Sequence, residues 1–132
     1  MLKLKDLHEG DHVIANYEGQ QLRGIVTGFH REDNEVGVET DVQEFWFNPA
    51  DMDGILLNEE ELLKLGFQKE EREDGSVKYL KGPFRLLTHE KGNFTNVEIW
   101  YREDRRTITT QLYVHELQHH YHQMTKVDLV QE

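Results

Sequence analysis

The segment Val114-His115-Glu116-Leu117-Gln118-His119-His120-Tyr121-His122 holds the residues of this chain best suited to chemistry. His115, Glu116 and His119 spell H-E-x-x-H, in which a helix offers two imidazoles to zinc and a carboxylate to the metal-activated water. Histidines four residues apart share a helix face, so their rings can converge on one ion. On a helical wheel His115, His119 and His122 fall together, opposite an apolar stripe of Tyr113, Val114, Leu117, Tyr121 and Met124. The chemistry implied is zinc-dependent hydrolysis.

The sequence does not supply the rest of such a site. A catalytic zinc takes three protein ligands. The extended motif would place Gly at 122 and His at 125, where this chain has His122 and Thr125. Downstream only Asp128 and Glu132 remain, and upstream nothing selects the best candidate, His89. His122 could complete an adventitious site on the same face. The preferred reading is a solvated, histidine-rich helix face, with no catalytic residue, no metal ligand and no cofactor assigned. His8 and His12 flank Gly10-Asp11 and read as turn residues. Ser76 is the single serine and sits in a hairpin turn, which argues against a serine triad.

The elements that position these residues are short. Glycines punctuate residues 1–57, and the pattern predicts strands at His12–Tyr17, Gln21–Phe29, Glu35–Thr40, Glu44–Phe47 and Gly54–Leu57. Arg31-Glu32-Asp33-Asn34 reads as a turn, and Asn48-Pro49-Ala50-Asp51 as a single turn of 3-10 helix. Five such strands suggest an SH3-like β-barrel with Val13, Ile25, Val36, Val38, Phe45 and Phe47 inside. Gly10, Gly24, Gly28 and Gly37 are assigned to bends or bulges.

A second α+β unit is expected over 58–132. Asn58 N-caps a helix whose first turn is Glu59-Glu60-Glu61, and Gly66 ends it in the left-handed conformation with Phe67 folding back on Leu62. Antiparallel strands are predicted at Phe67–Arg72, Val77–Lys81, Phe84–His89 and Phe94–Arg102, the first two joined at Asp74-Gly75. In the last of them Val97, Ile99 and Tyr101 should face the core and Trp100 the other side. A C-terminal helix follows from about Thr109 to Thr125.

Composition narrows the setting. Fifteen basic against 26 acidic residues leave a net charge of −11, which repels phosphate backbones and disfavours nucleic-acid binding. The one dense basic cluster, Arg102, Arg105 and Arg106, is interrupted by Glu103 and Asp104. No apolar run is long enough to span a membrane, no secretory leader is visible at Met1–Asp6, and the chain has no cysteine. These features lead to the expectation of a cytoplasmic protein. The charge also fits a basic protein partner or, more remotely, mimicry of nucleic acid.

Three motifs carry a resemblance. Leu7-His8-Glu9-Gly10-Asp11-His12-Val13, Leu57-Asn58-Glu59-Glu60-Glu61-Leu62-Leu63-Lys64-Leu65-Gly66-Phe67, and Tyr113-Val114-His115-Glu116-Leu117-Gln118-His119-His120-Tyr121 occur in that order along the chain. In this respect the chain resembles a family of small uncharacterised proteins of Bacteroidota and their phages and mobile elements. The resemblance ties His115 to Leu117, Gln118 and Tyr121 rather than to His119, and so implies a packing role for the last helix. The family usually ends with a glycine-containing segment that this chain lacks, so its helix should terminate differently. The resulting expectation is a non-enzymatic protein-interaction or accessory protein, open to homo-oligomerisation, with Trp46, Trp100 and Tyr101 as candidate contacts.

Overall fold

The structure is a computed structural model and describes residues 1–131. The chain is α+β, with mostly antiparallel strands in two five-stranded sheets and few helices. It divides into two compact units, Met1–Ile55 and Leu56–Glu132. No helix among the described residues is long and apolar enough to cross a membrane.

The first unit contains β1 (His12–Tyr17), β2 (Gln20–His30), β3 (Glu35–Thr40), β4 (Glu44–Phe47) and β5 (Met52–Gly54), in the spatial order β4-β3-β2-β1-β5. Before β5 comes a 3-10 turn, Pro49–Asp51, where the Asn48 side chain accepts from the Ala50 amide at 2.9 Å. β4 and β5 are the two ends of the sheet and do not pair, so hydrogen bonding does not close the expected barrel.

The expected last strand, Gly54–Leu57, is split. Met52–Gly54 pairs with β1, whereas Leu56 bridges Tyr113 and the Leu57 amide donates to the Leu112 carbonyl within the second unit. A continuous apolar run hides this division because both halves are pattern-compatible strand.

Val13, Ala15, Val26, Val36, Val38, Phe47 and Met52 form the core of this unit, with Phe45 partly buried against it. Ile25, expected inside, is instead 42% exposed. Val13 pairs with Gly24 and Val26 with Val38, so the even positions of β2 face inward and Ile25 faces out. Gly24 answers to close approach: a Cβ there would clash with Val38 Cγ1 and the Glu39 carbonyl. A register shift between Val26 and Gly28 marks a bulge at Thr27. Beyond it the parity changes, so Phe29, opposite Val36, turns inward and His30, opposite Glu35, turns outward.

The second unit contains α1 (Glu59–Lys64), β6 (Gln68–Glu71), β7 (Val77–Lys81), β8 (Phe84–Thr88), β9 (Val97–Tyr101), β10 (Asp104–Ile108) and α2 (Val114–Thr125). Its sheet is a simple meander, β10-β9-β8-β7-β6. Asn58 Oδ1 accepts from the Glu61 amide at 2.9 Å and caps α1. Gly66, at φ 88°, closes it, and the Phe67 amide returns to the Leu62 carbonyl at 3.1 Å.

Val77, Tyr79, Phe84, Leu86, Val97 and Ile99 are buried with Leu62, Leu65, Val114, Leu117 and Tyr121. Tyr121 packs on Phe84 with ring centroids 4.9 Å apart, which seats α2 on the sheet. The strand β10 has no counterpart in the sequence expectations. It follows β9 through a tight turn with Arg102 at φ 57°, and its polar sequence carries no buried-strand signal. It falls between the expected strand end at Arg102 and the expected helix start near Thr109, a stretch assigned no element from sequence, and α2 itself starts at Val114 rather than near Thr109.

Candidate functional site

The outer face of the first sheet carries the most exposed tryptophan. Trp46 is 40% exposed and sits opposite Gly37 on β3, which pairs with Gly28 on β2. Of the two glycines, Gly37 is the one the indole packs against. A Cβ at Gly37 would meet Trp46 ring carbons at 3.2 and 3.3 Å and Thr27 Oγ1 at 2.8 Å. His30, turned outward by the bulge, stacks on Trp46 with ring centroids 3.9 Å apart and planes 9° from parallel.

Carboxylates frame this aromatic pair. His30 faces Glu35 across the strands, and Ile25, Glu39 and Glu44 form the next outward row. Glu39 and Glu44 are direct cross-strand neighbours of like charge, an arrangement that costs stability. Asp33 stands in the 3-10 turn Arg31–Asp33 that joins β2 to β3. Among the described residues, the side chains of Asp33, Glu35, Glu39 and Glu44 have no hydrogen-bond or ion-pair partner. Arg31, the cation nearest in sequence, lies over the Phe29 ring at 4.8 Å.

Trp100 and Tyr101 are both half-buried and lie on opposite faces of β9, so they cannot form one surface. Each already carries a cation: Arg105 stands 4.9 Å from the Trp100 ring centroid and Arg102 stands 5.1 Å from that of Tyr101. As expected, Val97 and Ile99 are the buried residues of this strand.

The H-E-x-x-H residues are put to structural use. Glu116 Oε1 accepts from the Tyr113 amide at 2.9 Å and caps α2, the position from which a general base would have to be released. His115 is only 6% exposed, and Gln118 is buried beside it. The buried face of α2 is thus broader than the apolar stripe, and His115, His119 and His122 do not share one solvated face. The chain after α2 returns to Gln118. Lys126 takes the left-handed conformation at φ 66°, Leu129 is buried, and Gln118 Nε2 donates to the Leu129 carbonyl at 3.1 Å.

The His115 and His119 rings lie edge to face at 5.7 Å. His122 pairs with Asp128 at 2.9 Å, and His89, the upstream candidate ligand, pairs with Glu98 at 3.2 Å. Arg106 donates to His120 Nδ1 at 2.9 Å and to Gln123 Oε1 at 2.8 Å. Burial and then the nearby Arg106 charge hold the His120 pKa below its usual value.

Of the remaining chemical candidates, His8 and Ser76 are turn residues, whereas His12, expected in a turn, opens β1 and is buried. The His8 amide donates to Asp11 Oδ2 at 2.8 Å, and Ser76 Oγ donates to Asp74 Oδ1 at 2.6 Å. The run Glu59-Glu60-Glu61 serves the helix: Glu59 accepts from Tyr79 Oη and pairs with Lys69, each at 2.9 Å. The Lys69 and Tyr79 hydrogen bonds lower the Glu59 pKa, whereas burial and then the bond to Glu59 raise that of Tyr79.

Of the three sequence-based contact candidates, Trp46 is the one that is exposed; Trp100 and Tyr101 are half-buried. The residues missed around it are His30, Asp33, Glu35, Glu39, Glu44 and, on the outward face, Ile25. The only sequence signal was the pattern His-x-x-Asp-x-Glu spanning a turn between two strands. No protein-family model, curated protein or solved structure matches the chain.

Proposed function

We propose that this is a non-enzymatic protein-interaction module whose contact surface is the Trp46–His30 face of the first sheet and whose partner presents a basic segment. The observation that carries the reading is an exposed indole bordered by four carboxylates that have no cation among the described residues. An aromatic held between His30 and Gly37 offers contact area at little conformational cost. The surrounding charge selects a basic partner and steers its approach. Repulsion between Glu39 and Glu44 makes the free surface locally unfavourable, and a bound cationic side chain would relieve it.

The strand order β4-β3-β2-β1-β5 and the 3-10 turn before β5 support an SH3-like reading of the first unit. An interaction role in the bacterial cytoplasm also suits an accessory protein of a phage or mobile element, the setting that the motif resemblance suggests. The test is retention of proteins from a native-host extract by the immobilised chain, by Trp46→Ala and by the charge-reversed Glu39→Lys/Glu44→Lys variant. A partner held by the wild type should be lost by both variants and by raised salt. Equal retention of that partner by all three proteins would sink the assignment.

A further inference from the structure

We propose that His30, Asp33 and Glu35 form a binding site for a first-row divalent transition-metal ion. The imidazole and the two carboxylates place one donor atom each within 4.8 Å of one another, and they are the one such trio among the described residues. Small side-chain rotations would bring donors this close to metal-bond distances of roughly 2.0–2.2 Å. This inference does not depend on the docking role of Trp46.

Local structure gathers the three residues. His30 ends β2 and Glu35 begins β3 as its direct cross-strand partner. The four residues between them fold into the 3-10 turn Arg31–Asp33 and a left-handed Asn34 at φ 52°, which carries Asp33 back toward the pair. The bulge at Thr27 sets the parity that turns His30 outward. Trp46 then fixes its ring plane by stacking. Stacking covers the face of an imidazole, whereas coordination uses the nitrogen lone pairs at its edge, so the two are compatible.

The electrostatics point the same way. Neither Asp33 nor Glu35 has a cationic partner among the described residues, and Arg31 is drawn aside onto Phe29. A divalent cation would neutralise both carboxylates at once. The mixed set of one nitrogen and two oxygens favours zinc, nickel, cobalt or copper over magnesium or calcium, which prefer oxygen alone. Three protein donors leave coordination positions open to water or to a donor from a partner.

Trp46 is a built-in reporter, because Ni²⁺ bound to His30 would quench the indole stacked on it. The chain has two tryptophans, so Trp100→Phe leaves Trp46 as the only one. Untagged Trp100→Phe protein should show saturable, EDTA-reversible quenching by Ni²⁺. Asp33→Asn and Glu35→Gln, which keep the stack, should each weaken apparent affinity about tenfold or more. The double variant His119→Asn/His122→Asn should leave the titration unchanged. Absence of saturable quenching, an unchanged midpoint in both carboxylate variants, or loss of quenching in the helix variant would each overturn the assignment.

Discussion

The indole of Trp46 and the imidazole of His30 lie 3.9 Å apart and nearly parallel, above a glycine. Gly37 is required there because a methyl group would press on the Trp46 ring and on Thr27 Oγ1 together. Gly37→Ala should therefore shift the Trp46 emission and cost about 1–3 kcal/mol in urea unfolding. At Gly28 a Cβ meets nothing within 4 Å, so Gly28→Ala should leave the emission in place.

Ile25 and Met52 provide the contrast for the interior of the first unit. Ile25 is 42% exposed and Met52 fully buried. Ile25→Thr should change stability by no more than about 0.5 kcal/mol. Met52→Ala should cost roughly 2–5 kcal/mol by opening a cavity. Chemical denaturation of both variants is sufficient to check the assignment of the two faces.

Glu116 caps α2 through the Tyr113 amide. Glu116→Ala should lower stability by about 1 kcal/mol, and Glu116→Gln, which can still accept that hydrogen bond, should recover much of the loss. Thermal melts of the two variants separate capping from a role for the carboxylate charge.

Glu59 has its pKa lowered by Lys69 first and Tyr79 second. A lowered carboxylate pKa adds stability above the unfolded-state value near 4.5, and this stability is lost as pH falls through the folded-state value. The difference in urea midpoint between wild type and Glu59→Gln should be present at neutral pH and shrink below about pH 4.5.

His120 follows the same direction from the other side of charge. Its neutral form accepts from Arg106, and its pKa is held below the usual 6.5. The unfolded chain takes up this proton first, so stability is complete above pH 6.5 and falls as pH drops through the folded-state value. An imidazole NMR titration should give His120 a midpoint below 6.5, and Arg106→Gln should raise it by removing the nearby charge.

Local rules were legible wherever one residue settles the matter. Asn58 and Gly66 marked both ends of α1, Asn48-Pro49 marked the 3-10 turn, and alternation placed Val97 and Ile99 inside. The candidate site was legible only as Trp46, because its neighbours are ordinary surface residues in sequence.

What the sequence by itself determined was the set of local elements: caps, turns and the period-two strands whose side chains act over a few residues. Only the tertiary structure decided which side of β2 faces the core. Adjacent Ile25 and Val26 satisfy the apolar pattern equally, and pairing with Val13 and Val38 breaks the tie. The buried Gln118 on α2 is likewise tied to a distant residue, through its hydrogen bond to the Leu129 carbonyl. The His30, Asp33 and Glu35 cluster exists because a one-residue bulge reverses side-chain parity, an effect set by hydrogen-bond register between strands rather than by the types of the residues it brings together.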